Sequence, residues 1–418
     1  MAARLPELAQ GRAALTQAGP SRFLRNAVAL TVTGILFAIE IWTVVPAPSR
    51  ILLVFAVLVP EVAPWGIALT LPAVVVAYVV GVGRVRALAV ALGVGAFLCA
   101  LWPMLQLPGT IAVSDAEMRR ALGDRYDPTP GAAPFDVAEV FAGRSVSAPV
   151  APEMDVPVPE SGGVRLGLDV YRAAGAGPHP AVVLVYGGGW RYGSRADSAP
   201  IARDLARIGY TAIAVDYRHA PEARFPAQYD DVRAALETIA RNAAAWNVDA
   251  ERIALFGRSA GAELALLAAY RREPLHVAAV VAYYAPVDLT EGYRDPPVPD
   301  PADVRDLLEG YLGGPPGALP HAYAAASPLS LVRSGLPPTF LICGARDQLV
   351  LLRFQREMAA ALRAHGDVVA ALELPWSNHA FDAIPNGLGA QLARYYTARF
   401  LAATLGPATQ PAAASAGR

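Results

Sequence analysis

Ile253-Ala254-Leu255-Phe256-Gly257-Arg258-Ser259-Ala260-Gly261-Ala262-Glu263-Leu264-Ala265-Leu266-Leu267 decides the fold. Four apolar residues read as a buried strand, and the run after Gly261 reads as an apolar helix. Between them a serine stands at the centre of Gly-Arg-Ser-Ala-Gly. A serine so placed can occupy the strained turn from strand to helix that presents its hydroxyl, because bulkier neighbours would clash there. The pentapeptide alone is a weak signal; the strand before it and the helix after it make it specific.

Outward from this segment, short apolar runs alternate with helical patterns. Strands are expected at 164–171, 181–186, 212–216, 253–256, 278–284, 339–343 and 368–374, and helices at 197–208, 229–245, 260–270, 302–312, 351–365 and 386–402. Such alternation predicts an α/β fold, a mostly parallel sheet covered by helices on both faces, over residues 156–403. In a sheet of this kind, chemistry belongs on loops at the carboxyl ends of the strands.

Three such loops carry suitable groups. Tyr186-Gly187-Gly188-Gly189-Trp190 follows the strand ending at Val185, and consecutive glycines let backbone N–H donors turn toward a developing oxyanion. A serine nucleophile needs a base, and the base needs a carboxylate to hold its tautomer. Of His276, His321, His365 and His379, only His379 follows an apolar strand on a short loop, in Leu374-Pro375-Trp376-Ser377-Asn378-His379. For the carboxylate, Asp347 follows Phe340-Leu341-Ile342-Cys343-Gly344-Ala345-Arg346, and Asp288 is the competitor. Asp347 is preferred because Gly344 and Ala345 permit a tight bend and the order Ser, Asp, His is then met.

Together these residues resemble the α/β-hydrolase superfamily, and within it the hormone-sensitive-lipase-like esterases and the microbial acetyl and feruloyl esterases. Asp216-Tyr217-Arg218-His219-Ala220-Pro221-Glu222 with Phe225-Pro226-Ala227-Gln228, and Asn247-Val248-Asp249-Ala250-Glu251-Arg252-Ile253, are similar to segments of that family. The resemblance implies Ser259 as nucleophile, His379 as general base and later acid, Asp347 as orienting carboxylate, and the N–H groups of Gly188, Gly189 and Ala260 as an oxyanion hole. It implies no metal and no organic cofactor. Two positions depart from the pattern: Tyr186 stands where the family usually has His, and Ala262-Glu263 where it commonly has Gly-Asn. The expected reaction is cleavage of a carboxylic ester through an acyl-enzyme; an aryl-formamidase or amidase, or an acyltransferase, would use the same groups. A non-catalytic interaction protein on this fold would be expected to lack a member of the set, and none is missing.

The rest of the chain is of another kind. The 418 residues are 54% hydrophobic and only 17% charged, and every one of the 35 cations is Arg. Between Asn26 and Ser114 only Glu40, Arg50, Glu61, Arg84 and Arg86 carry charge. Apolar runs at 27–45, 62–82 and 87–107 each approach the roughly 20 residues that cross a bilayer, so three membrane helices are expected. Residues 51–60 are read as an interfacial or extended lead-in, 108–155 as a linker with a short helix opened by Ser114 and Glu117 as a capping box, and 404–418 as a disordered tail. Glu40 and Glu61 raise the alternative of a transporter or sensor. Arg4, Arg12, Arg22 and Arg25, then Arg84 and Arg86, put the 1–25 segment and the second loop in the cytoplasm. The expected location is thus a bacterial inner or plasma membrane, with the 156–403 domain on the extracytoplasmic side. A net charge of −1 gives no basic field for nucleic acid, and Cys99 and Cys343 alone make neither a disulfide framework nor a metal site. The expected partners are the bilayer and a small or lipid-like ester. Tyr293, Tyr311 and Tyr323, in the Pro-rich insertion 288–331, are candidates for pocket walls.

Overall fold

The computed structural model describes residues 21–128, 133–143, 151–159, 162–271 and 275–406. The outermost arginines, Arg4 and Arg12, and the tail from residue 407 lie outside these. The apolar part comprises α1 (Arg22–Glu40), α2 (Arg50–Leu58), α3 (Ala63–Val80) and α4 (Gly83–Leu122), followed by a short α5 (Val137–Ala142). Three stretches, Arg22–Thr43, Arg50–Val80 and Gly83–Arg125, are long and apolar enough to cross a membrane. Their large side chains, Phe23, Ile35, Val75 and Leu98 among them, face outward, whereas Ala29, Ala77 and Ala89 are buried between helices. This inverts a water-soluble pattern and suits lipid, where close backbone approach replaces the hydrophobic effect as the glue between helices. Gly93 shows the closeness: a Cβ there would stand 2.8 Å from a methyl of Val74. Glu40 lies between helices, in space that Gly66 leaves open.

The two ends of this bundle differ. At one, Arg25 donates to the Val80 carbonyl and the Val82 N–H to the Asn26 side chain, which draws Arg22, Arg25, Arg84 and Arg86 together. At the other, the chain leaving α1 meets the sheet domain.

Two expectations about this part change. Residues 51–58 are not extended; they belong to α2, whose exposed Ile51, Val54 and Phe55 make one apolar stripe at helical spacing. Residues 108–122 are no tether either, because α4 runs unbroken through Pro103 and Pro108 to Leu122, with Ser114 buried inside it. The capping signal at Ser114 is overridden by packing: Leu107, Met118 and Leu122 join one core with Phe340, Leu372 and Phe400 of the sheet domain.

The sheet has eight strands: β1 (Glu153–Pro157), β2 (Gly167–Tyr171), β3 (His179–Val185), β4 (Thr211–Val215), β5 (Val248–Arg258), β6 (Ala279–Tyr283), β7 (Thr339–Gly344) and β8 (Val369–Leu374). Their order is β1-β2-β4-β3-β5-β6-β7-β8, antiparallel for the pairs β1-β2 and β2-β4 and parallel throughout the remainder. Helices α6 (Ala199–Arg207), α7 (Ala227–Asn242), α8 (Ala260–Tyr270), α9 (Leu289–Arg294), α10 (Val304–Leu312), α11 (Pro320–Ala325), α12 (Leu352–Ala364) and α13 (Leu388–Leu405) complete the domain. Strand side chains alternate between two cores. Val183 and Leu255 pack with residues of α7, α8 and α12, while Val182, Leu184 and Phe256 pack with those of α6, α13 and the far half of α4. The core strands lie where the apolar runs place them. β1, mostly exposed and without alternation, gives no such signal, and α9 and α11, six residues each, are too short to show a period.

Candidate active site

The apolar strand β5 ends in a turn that needs both its glycines. A Cβ at Gly257 would stand 2.2 Å from the Gly261 carbonyl oxygen, and one at Gly261 would stand 2.2 Å from that of Tyr186. Ser259, between them, takes φ 52° and ψ −125° immediately before α8. A side-chain-bearing residue there is strained, and the strain is held by strand and helix on either side. The hydroxyl is thereby pushed out at the carboxyl edge of the sheet.

His379 and Asp347 arrive on the loops after β8 and β7. His379 Nε2 lies 2.9 Å from Ser259 Oγ, and Nδ1 lies 2.8 Å from Asp347 Oδ2. An ionised carboxylate only accepts, so Nδ1 carries the proton and Nε2 is left to accept from the serine. Asp347 is buried, and its other oxygen receives the N–H groups of Leu349 and Val350, both at 2.8 Å. Gly344 makes the bend possible: a Cβ there would meet the Ser377 carbonyl oxygen at 2.3 Å. Asp288, the competing carboxylate, caps α9 by accepting from the Glu291 N–H. His365 closes α12, with Nδ1 2.9 Å from the Ala361 carbonyl oxygen, and His276 and His321 are exposed on the surface.

Gly188 and Gly189 border the same cavity as Ser259 and His379, and Ala260 begins α8 directly after the serine. Gly188, Gly189 and Trp190 have φ of 133°, 58° and 59°, all positive, and a Cβ at Gly188 would stand 2.1 Å from the Tyr192 carbonyl oxygen. The loop therefore curls tightly. Among the described residues no acceptor receives the Gly188 or Gly189 N–H. The cavity holds about 470 Å³ and is walled by Leu289, Val304, Leu308, Leu349, Val350 and Phe354. Tyr293, Tyr311 and Tyr323 are not among its walls. Tyr311 and Tyr323 are wholly buried, and Tyr293 donates to Glu309. The leucines of α10, on the amphipathic face opposite its charges, line the cavity instead.

Several supporting groups carry weaker sequence signals. Trp190 stacks on Tyr311 with ring centroids 4.1 Å apart, and its indole N–H donates at 3.1 Å to Glu263. Glu263 is completely buried, and burial pushes its carboxyl up to about 8 despite donors from Trp190 and Tyr311. Tyr186, the unusual residue before the glycines, stacks on Tyr217 and places its hydroxyl 2.9 Å from His219 Nε2, shaping the loop from behind. Arg258 reaches Asp382 at 3.3 Å, Tyr284 donates to the same carboxylate, and the Tyr284 ring lies 4.5 Å from that of His379. The elbow and the histidine loop are thus tied together. Cys343 is buried beneath Asp347, its thiol pushed well above the ordinary range by desolvation.

Residues 168–362 match the protein family described as BD-FAE. Among curated proteins the chain is 31% identical over 244 residues to esterase LipQ of Mycobacterium tuberculosis, covering 54% of this chain and 57% of that one. It is 33% identical over 232 residues to esterase LipC of the same organism, covering 51% and 57%. The chain thus spans little more than half the length of these relatives. Among solved structures, a thermophilic esterase from Thermogutta terrifontis shares 25% identity at TM-score 0.52, over 62% of this chain and 94% of that one. A hyperthermophilic esterase from Pyrobaculum calidifontis shares 29% at TM-score 0.51, over 60% and 85%. With its strand order, its elbow and these likenesses, the sheet domain has the α/β-hydrolase fold and is esterase/lipase-like, preceded by three apolar helical stretches.

Proposed function

We propose that this chain is a membrane-anchored serine hydrolase that cleaves carboxylic esters. The observation that carries the reading is the continuous line from Ser259 through His379 to Asp347, facing the curled Gly188-Gly189 loop across an apolar cavity. Ser259 Oγ attacks the ester carbonyl while His379 Nε2 takes its proton, and Asp347 holds the imidazolium that forms. The oxyanion is met by the N–H groups of Gly188, Gly189 and Ala260. His379 then gives its proton to the leaving alcohol, and the acyl group remains on Ser259. A water molecule, deprotonated by the same histidine, releases the acid and restores the serine. The Asp216 to Glu222 segment supports placing the chain near the hormone-sensitive-lipase-like esterases and the microbial acetyl and feruloyl esterases.

The arginines gathered at one end of the bundle support a cytoplasmic position for that end, with the hydrolase domain outside. The stripe of Ile51, Val54 and Phe55 on α2 then rests in the bilayer surface. A chain-length series of p-nitrophenyl esters, given to the full chain in detergent and to its Ser259→Ala variant, tests the activity. Hydrolysis that is lost in a folded variant supports it, and equal rates in both would remove it. Added alcohol that diverts product from acid to a new ester would point to acyl transfer, and turnover of formamides but not esters to an amidase.

A further inference from the structure

The loops that bring the acid and the base to Ser259 are gripped from the apolar helical part of the chain. Glu61, in the 3-10 turn Pro60–Val62 between α2 and α3, is buried with both carboxylate oxygens occupied. Oε1 accepts from the Ser377 hydroxyl at 2.6 Å and Oε2 from the Gly389 N–H at 2.6 Å. Ser377 lies two residues before His379, and Gly389 opens α13 just after the same loop. One side chain therefore clasps both ends of the histidine loop. The loop is shaped to receive it: a Cβ at Gly389 would stand 2.8 Å from Glu61 Oε2, and one at Gly387 would stand 3.0 Å from the Glu61 Cβ.

A second grip acts on the acid. Gln348, next to Asp347, pairs with the backbone of Ala47 in both directions, its Oε1 accepting at 2.9 Å and its Nε2 donating at 3.1 Å. Arg346 donates to the Val44 carbonyl. The Gln348 N–H in turn donates to Asn378 Oδ1, which also accepts from the His379 N–H at 2.7 Å. The chain between α1 and α2 is thus linked through Gln348 and Asn378 to the base itself.

We propose that Glu61 is a positioning residue of the catalytic centre, seconded by Ala47, so that the membrane segment forms part of the working site instead of merely tethering it. The proposal rests on reading Ser259, His379 and Asp347 as the catalytic set. Its physical basis is the steep dependence of reaction on geometry, since a misplacement of about 1 Å can cost on the order of 100-fold in rate.

The test compares full chains in detergent: wild type, Glu61→Ala, Glu61→Gln, Ser377→Ala and Ser259→Ala. Three readouts are taken: kcat and KM on p-nitrophenyl butyrate, the rate of labelling by a fluorophosphonate, and Tm. In labelling, the Ser259 Oγ–P bond forms, P–F breaks, fluoride leaves and the serine proton passes to His379, so the rate reports the serine-histidine geometry without ester turnover. Glu61→Ala is expected to lower kcat about 10- to 100-fold with KM within about twofold, and to slow labelling in parallel. Glu61→Gln should recover part of this, because its carbonyl oxygen still accepts from Ser377 while its amide cannot accept from Gly389. Ser377→Ala should fall between.

Unchanged kcat and labelling with only a lowered Tm would overturn the proposal and leave Glu61 a packing residue. Should Glu61→Ala fail to fold, the Gln and Ser377 variants decide by the same criteria. If wild type takes the label at Ser259 but hydrolyses no ester, the esterase reading falls while the labelling rates still judge Glu61. A wild type that neither hydrolyses nor labels removes both.

Discussion

Glu263 puts a carboxyl group in the first turn of the helix behind Ser259, where among the described residues it forms no ion pair. Burial holds it protonated, with its titration moved up to about 8. An unfolded chain releases that proton near the ordinary glutamate value of about 4.3. Between these two points the folded state binds more protons than the unfolded one, so this group's contribution to stability declines as pH rises and levels off above about 8. Glu263→Gln keeps an acceptor for Trp190 and removes the titration. The Tm difference between variant and wild type should therefore grow in the variant's favour from pH 5 to 8 and then stay constant; a pH-independent difference would show that Glu263 does not titrate in this range. Gly261 gives a prediction of opposite kind. Gly261→Ala forces a methyl against the Tyr186 carbonyl, and a loss of about 1–3 kcal/mol of stability is expected in denaturant unfolding, with hydrolysis reduced beyond what unfolding explains.

At the scale of elements, the strand, turn and helix around Ser259 form a unit whose residues speak for themselves. Apolar β5, a glycine on each side of the serine and apolar α8 are local features, and local features were readable. The placement of His379 beside Ser259 is legible from the strand before it, and that of Asp347 from the glycine and alanine that allow its bend. The pocket is not. Tyr293, Tyr311 and Tyr323 stand out in the sequence as large side chains in an insertion, but Tyr311 is consumed in stacking on Trp190, and the wall is built by α10, whose direction depends on contacts distant in sequence. Glu61 as a partner of the histidine loop, and Gln348 as a partner of Ala47, are equally hidden, since these contacts join residues about 300 positions apart. With α10 as a wall, Leu308→Trp should fill the cavity. Acetyl ester turnover is expected to remain within about threefold while octanoyl turnover falls about tenfold or more, as for other size-limited apolar pockets; equal losses on both would place the acyl chain elsewhere.

For the whole molecule, the helical part and the sheet domain share one core. Met118, Leu122 and Tyr126 pack with Phe340 and Phe400. A chain beginning at residue 130 would uncover that face and is expected to aggregate in size-exclusion chromatography, whereas one beginning at 108 retains it and should remain better dispersed. The sidedness is checked with an impermeant maleimide, since Cys99 and Cys343 are both buried. Glu222→Cys, exposed on the sheet domain, should label in intact cells, and Arg84→Cys only after permeabilisation. Labelling in the reverse order would invert the topology. Arg120, near the end of α4, pairs with Glu117 and donates to the Val369 carbonyl of the sheet domain.

Helix α4 runs for 40 residues without a break, a rod of about 60 Å, roughly twice the hydrocarbon thickness of a bilayer. Its first half can lie in lipid while its second half is mortised into the sheet domain. A rigid mast fixes altitude. Under the proposed anchoring the serine neither reaches down into the bilayer nor swings away from it, so its collisions are confined to a thin slab of space parallel to the membrane. In that slab, what matters is surface density and lateral diffusion, and a scarce ester that partitions to the membrane is met more often than one of equal total amount dissolved in bulk water.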